Sequence, residues 1–332
     1  MVGVSFIICT HNGESKIRRV VEAIKYNHSM YNNYEIILVD NNSTDNVVNV
    51  FLDSIKDLPH LIVHEKKQGL VFARIAGTNV ARYEWIVFVD DDNYLDCDVI
   101  EEIYTKADNN SSIGAMGGIG ILENGTNLDW FDSLSRAVAV GPQTKIKECK
   151  RNDLYRVKTL FGACLCVRRE ILTHYYGNGY SPVLTGRKGN KLISGEDSEI
   201  CEMVKNLGFY CFFNSNIKFI HDINMGRITE QYFESLFRSF GVAYIHLLPF
   251  RLPFLFSLGK NFVLMYLYAF GFLLSTTSSF MRLVFKNNFP LICKASMYNG
   301  AADEIREVIN TDKLVGLFFS YHEFNRIREV LK

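Results

Sequence analysis

Trp85-Ile86-Val87-Phe88-Val89-Asp90-Asp91-Asp92-Asn93 is the stretch on which the reading of this chain turns. Its apolar part is β-branched or aromatic throughout and has no polar break, as in a strand buried on both faces. Three carboxylates then follow in succession. Adjacent carboxylates repel one another, and a hard cation such as Mg2+ or Mn2+ relieves the repulsion through oxygen ligands. In an open parallel sheet, ligands lie beyond the carboxyl ends of the strands, where this triplet would fall. The same residues also read as a solvated acidic turn closed by Asn93.

Toward the N-terminus, apolar spacing predicts strands at 4–9, 34–39 and 61–64, and helices at 16–26, 47–55 and 71–81. With the central strand this gives βαβαβαβ. The fold class that follows is α/β: a Rossmann-like, mostly parallel twisted sheet with helices on both faces. Strands one, two and four end in polar clusters: Thr10-His11-Asn12-Gly13, Asp40-Asn41-Asn42-Ser43-Thr44-Asp45 and the aspartate triplet. Parallel strands share a direction, so the three clusters belong on one edge of the sheet.

Toward the C-terminus, a helix at 99–107 precedes a glycine-rich strand at 113–122, where glycine permits close backbone approach. The charged run 145–151 reads as a solvated loop or hairpin. Phe161-Gly162-Ala163-Cys164-Leu165-Cys166-Val167 is a small-residue strand, and Gly162 and Ala163 suit either an approaching ligand or tight packing on a helix. A long basic loop, 177–195, leads into Gly195-Glu196-Asp197-Ser198-Glu199 and a helix at 199–206. Strands at 208–214 and 217–220 end at His221-Asp222. Thr229 opens a helix that places Phe233, Leu236, Phe237 and Phe240 on one face.

The chain has 332 residues, 48% hydrophobic and 13% aromatic, which allows a large core. Its 36 basic and 36 acidic residues cancel, so no global field favours nucleic acid. Eight cysteines without a C-x-x-C pair suggest reduced, buried thiols of a cytosolic protein rather than a disulfide frame or zinc site. No basic segment precedes the first strand, so no secretory signal is expected.

In this order and spacing, Thr10-His11-Asn12, Val39-Asp40-Asn41-Asn42-Ser43-Thr44-Asp45, Lys67-Gln68-Gly69 with Ala73-Arg74, and Asp90-Asp91-Asp92 as a D-x-D signature resemble family 2 glycosyltransferases. Gly195-Glu196-Asp197-Ser198-Glu199 is similar to that family's G-E-D-x-E/D motif. The resemblance covers residues 1 to about 240. It implies the A-type glycosyltransferase fold, a nucleotide-diphosphate sugar donor and a divalent cation, Mn2+ or Mg2+. By the same resemblance Thr10 lines the nucleoside pocket through its backbone, with Asn12 beside it. Asp40 accepts from the base, which favours UDP, and Arg74 helps hold the nucleotide. Asp90 faces the ribose or the metal. Asp92 ligates the metal, His221 completes its shell, and Arg227 touches the diphosphate. Asp91, the variable middle position, joins the nucleotide-side set without a role of its own. Asp197 is the base of an inverting transfer and Glu196 a neighbour that contacts the acceptor. Each has a plainer reading: an Asx-turn at Asp40, a surface position for Arg74, helix caps at Glu196 and Asp197, an ordinary hydrogen-bonding role for His221.

The expected organisation is a nucleotide-sugar-binding half (1–108), an acceptor half of the same domain (109–240) and a hydrophobic helical region (241–332). Residues 261–279 carry no charge and approach the ~20 apolar residues that cross a bilayer. Spanning, interfacial and protein-packed readings compete there. Attachment to the cytoplasmic face of a membrane and a lipid-linked or other glycan acceptor fit together, and the C-terminal helices could also pair two chains. A processive polysaccharide synthase usually carries Q-x-x-R-W, absent around Trp85 and Trp130. A nucleotidyltransferase would place a glycine-rich, lysine-bearing loop after strand one, also absent. A non-catalytic nucleotide-sugar scaffold remains the third reading.

Overall fold

The computed structural model describes residues 3–26, 33–56, 58–107, 110–144, 154–186 and 194–329. The charged run 145–151 and the basic part of the long loop, 187–191, lie outside them. In chain order the first elements are β1 (Val4–Thr10), α1 (Glu14–Tyr26), β2 (Tyr34–Asp40), α2 (Val47–Ile55), β3 (His60–His64), α3 (Leu70–Val80), β4 (Trp85–Asp90), β5 (Asn93–Leu95), α4 (Val99–Ala107) and β6 (Ile113–Leu122). Then follow α5 (Phe131–Leu134), β7 (Leu154–Val157), β8 (Leu165–Arg168), α6 (Arg169–Gly177), α7 (Glu196–Asn206) and β9 (Tyr210–His221). The helices α8 (Glu230–His246), α9 (Leu248–Arg251), α10 (Pro253–Ser257), α11 (Lys260–Val284), α12 (Phe289–Asn310) and α13 (Lys313–Glu329) complete the chain.

The strands form one nine-stranded sheet in the order β3-β2-β1-β4-β8-β6-β9-β5, with β7 also on β9. The strands β3, β2, β1 and β4 run parallel, as the βα alternation predicts. Beyond β4 the sheet is mixed: β8 is antiparallel to both β4 and β6, while β6 and β9 are parallel. The apolar runs of β1, β2 and β4 are buried on both faces, and Ile17, Val20, Val21 and Ile24 of α1 pack into the same core. Burial of this kind stabilises by roughly 25 cal/mol per Å2 of apolar surface.

Several details differ from the sequence expectation, among them the strand expected at 161–167, which forms only over Leu165–Arg168, leaving Gly162 and Ala163 in the turn before it. β9 is one strand, not two. Its polar middle bulges out of the β6 ladder between Phe213 and Lys218, and there Glu102 of α4 accepts from Nδ2 of Asn214 (2.8 Å) and of Asn216 (2.9 Å). The strip Asn93–Leu95, which carries no alternation to detect, is a strand antiparallel to β9.

The chain divides into two compact units. The first comprises Met1–Thr126, Val138–Asn178 and Met203–Ile223 and holds the sheet. The second comprises Asn127–Ala137, Gly179–Glu202 and Asn224–Lys332. In the second unit α8 and α12 approach at two glycines. A Cβ on Gly241 would meet the Met297 carbonyl oxygen at 2.0 Å, and one on Gly300 the Arg238 carbonyl oxygen at 2.1 Å. The other side of α12 contributes Ala301, Ala302, Ile305 and Val308 to a core with Val263, Leu267 and Leu274 of α11.

Candidate active site

Strand register builds the site. β1 pairs Thr10 with Asp40 on one side and Cys9 with Asp90 on the other, so three motif ends stand side by side. The Thr10 carbonyl accepts from the Asn41 N–H (2.8 Å), and its hydroxyl donates to Asp91 Oδ2 (2.6 Å). Burial pushes the Asp91 carboxyl up to about 6; the Thr10 hydrogen bond opposes this, and the charges of Asp92 and Asp90 add to it. Gly13 is required at this turn: its missing Cβ would lie 2.2 Å from Thr10 Oγ1 and 2.6 Å from Asp91 Oδ2.

Asn12 takes a left-handed conformation, φ 59°. It clips the two turns together: its N–H donates to Ser43 Oγ (3.0 Å) and its Oδ1 accepts from the Thr44 N–H (2.7 Å). Asp40 Oδ1 accepts from the Ser43 N–H three residues on (2.9 Å), and its other oxygen meets His64 Nδ1 at 3.1 Å. Burial alone would raise Asp40; hydrogen bonds from Ser43 and the charge and hydrogen bond of His64 outweigh it and hold the carboxyl below its ordinary value.

Asn41, quoted in the motif but given no role, is the hub of this edge. It is buried, and its Nδ2 donates to the carbonyls of Glu65 (3.0 Å) and Lys67 (2.9 Å). Its Oδ1 accepts from the Gly69 N–H (2.7 Å), fixing the Lys67-Gln68-Gly69 turn at the start of α3.

Arg74 is not a surface residue: it is 2% exposed. Its guanidinium lies 3.4 Å from Asp90 Oδ1 and 3.3 Å from the Gly162 carbonyl oxygen. A buried charge of this kind requires such partners. The small residue at 162 makes room for it, since a Cβ there would lie 2.9 Å from Arg74 Nη2.

Asp92 and His221 come together through the pairing of β5 with β9. Asn93 opposes His221, and the Asp222 N–H donates to the Asp92 carbonyl (2.9 Å). His221 Nε2 then stands 3.6 Å from Asp92 Oδ1, outside hydrogen-bond range. Its Nδ1 is buried with no hydrogen-bond partner. Lys16 Nζ (2.9 Å) and the Tyr94 hydroxyl (3.0 Å) both meet Asp222 Oδ2, which anchors the end of β9. Neither Lys16 nor Asp222 could be singled out by sequence spacing, because the pair joins positions far apart in the chain. Among the described residues no three His, Cys, Asp or Glu side chains gather around one cation point. A carboxylate and an imidazole separated by more than a hydrogen bond nevertheless suit a borderline-hard ion such as Mn2+ whose other ligands come from outside the protein.

Glu196, Asp197 and Arg227 belong to the second unit. Gly195, at φ +106°, turns the chain into α7. Asp197 lies inside the first turn of α7, where its Oδ1 accepts from the adjacent Ser198 N–H (2.6 Å). Two residues on, Glu199 is buried and accepts from the Tyr180 hydroxyl (2.5 Å) and the N–H groups of Val183 (2.9 Å) and Leu184 (3.0 Å). It thus ties the loop that precedes the motif to the helix that carries it. Arg227 closes a short 3-10 turn, Met225–Arg227, capped by Asn224.

Together, a parallel sheet edge lined by acidic turns and a helical C-terminal extension define an A-type glycosyltransferase architecture. The chain belongs to glycosyl transferase family 2, whose model matches residues 5–176. It is similar to the poly(ribitol-phosphate) beta-N-acetylglucosaminyltransferase TarP of Staphylococcus aureus (strain N315), with 27% identity over 131 residues, covering 39% of this chain and 40% of that protein. S. aureus TarS residues 1–349 share the fold at TM-score 0.51 and 16% identity, over 95% of this chain and 92% of that one; TarS has also been solved with UDP and with UDP-GlcNAc. GalNAc-T7, solved with UDP, GalNAc and Mn2+, matches at TM-score 0.51 and 15% identity, over 75% of this chain and 51% of its own. This chain spans at most 40% of the length of the curated relatives it matches.

Proposed function

We propose that the protein is an inverting glycosyltransferase. It moves a sugar from a UDP-sugar to a hydroxyl of a glycan or polyol-phosphate acceptor at the cytoplasmic face of a membrane. The observation that carries this reading is the register that aligns Thr10, Asp40 and Asp90 on one edge while β5 and β9 bring Asp92 to His221. Family membership and the UDP-sugar complex of TarS support it.

On this reading the Asp40 turn receives the base, and Arg74 holds Asp90 in place behind the ribose. Asp92 and His221 would hold Mn2+ or Mg2+, which when bound neutralises charge on the leaving diphosphate. Asp197 takes the proton of the acceptor hydroxyl as its oxygen attacks the anomeric carbon. The bond from that carbon to the diphosphate oxygen breaks from the opposite face, the diphosphate leaves with the electron pair, and the configuration inverts. Glu196 and Arg227 serve the acceptor and the diphosphate.

Calorimetry with UDP and GDP, with and without Mn2+, tests the reading. Manganese-dependent UDP binding with little GDP binding is the expected result. Binding of neither nucleotide would overturn it in favour of a scaffold that only keeps the fold.

A further inference from the structure

The C-terminal helices carry a segregation of charge that the zero net charge hides. Residues 235–302 contain no Asp or Glu, while Arg238, Arg251, Lys260, Arg282, Lys286 and Lys294 all fall there; the three arginines pair with Asp303, Glu202 and Glu234 outside the tract, so the surface charge rests on the lysines. At the centre lies α11, the one described helix long and apolar enough to cross a membrane. Its two faces differ. Val263, Leu267 and Leu274 are buried against α12. On the other face Phe262, Met265, Tyr268, Phe272, Phe280 and Leu283 are each at least 51% exposed. At 100° per residue these six fall within an arc of about 120°. Phe254 and Leu258, just before α11, are exposed as well. A contiguous apolar face of this size marks an interaction surface.

We infer that this face lies in the plane of an anionic lipid surface, with α11 as an interfacial helix rather than a span. The inference rests on the membrane-side location proposed above and adds the mode and the lipid chemistry. Spanning would strip Val263, Leu267 and Leu274 from the core they share with Ala301, Ala302, Ile305 and Val308. A second copy of this chain fits less well. Lys260 and Lys286 stand exposed near the two ends of α11, and no carboxylate in 235–302 could offset the lysines of a facing copy. Anionic headgroups supply that opposite charge, while exposed Phe, Tyr and Met suit the headgroup boundary.

The test is flotation of the full chain with phosphatidylcholine vesicles, alone or mixed with phosphatidylglycerol, with UDP binding followed in parallel. The wild type should float with the anionic vesicles only. Phe272→Glu/Phe280→Glu should abolish flotation, and Lys260→Gln and Lys286→Gln should each weaken it roughly fivefold, all with UDP binding unchanged. Absence of flotation, or equal flotation with neutral vesicles, overturns the inference. So does a dimer in sedimentation velocity that Phe272→Glu/Phe280→Glu splits, or resistance of the cellular protein to alkaline carbonate extraction. Loss of UDP binding by the wild type would instead count against the transferase reading alone.

Discussion

At Asn41 a single buried carboxamide satisfies two carbonyls and one N–H of the turn before α3. Asn41→Ala leaves those groups without partners, and a cost of about 2–3 kcal/mol is expected from unsatisfied buried groups, read by urea unfolding. Donor affinity should fall with it, because the same turn sets the start of α3 and hence Arg74. Asp92→Asn is the opposite kind of change. It keeps the shape and removes a charge that a cation needs, so transfer should drop on the order of 100-fold or more while the urea midpoint hardly moves. Transfer at the wild-type rate by purified Asp92→Asn would remove Asp92 from the metal site. Glu199 carries a pH signature. Burial pushes its carboxyl from 4.5 up to about 7, although hydrogen bonds from Tyr180, Val183 and Leu184 pull the other way. The folded state therefore holds this proton more tightly than the unfolded chain. Its contribution is complete below the unfolded value of 4.5 and fades as pH rises through about 7. Denaturation at about pH 5 and about pH 8 should show stability falling with pH, with a smaller fall in Glu199→Gln.

Among the elements, those with strong periodicity were legible in sequence and those held by distant partners were not. The helices 47–55 and 99–107 and the strand 113–122 stand where apolar spacing puts them. β5 has three residues, too few for a period, and exists because β9 offers it an edge. The centre of β9 reads as a turn because Asn and Ser favour turns; Glu102, more than a hundred positions earlier, binds it where it bulges from β6. The expected helix at 199–206 starts earlier, at Glu196, since acidic residues in a first turn complement the helix dipole. The contact of α8 with α12 depends on glycines that look like mere weak points in a helical pattern. Gly300→Ala would press a Cβ against the Arg238 carbonyl oxygen, and a loss of about 1–3 kcal/mol is expected from such overpacking. A thermal melt of that variant with an unchanged midpoint would show that the two helices can part without cost.

Over the whole molecule, the first sheet half and its carboxylate edge could be read from local pattern, because parallel strands bring their ends together by direction alone. The partners of that edge could not be read from local pattern: His221 entered beside Asp92 only through the family resemblance, and Lys16–Asp222 depends on a meeting of distant positions that closes only in the folded chain. Composition misled in one respect: a net charge of zero conceals a long carboxylate-free tract. The pairing of Asn93 with His221 has a further consequence for anyone recombining this protein with its relatives. Side chains alternate along a strand, so inserting or deleting one residue just before 221 would turn the imidazole to the reverse side of the sheet, and doing so within 93–95 would shift the register that sets Asp92 against it. Crossover points for chimeras are thus barred from both strips unless the two are exchanged together, and length variation should be tolerated far better in the connection between α4 and β6.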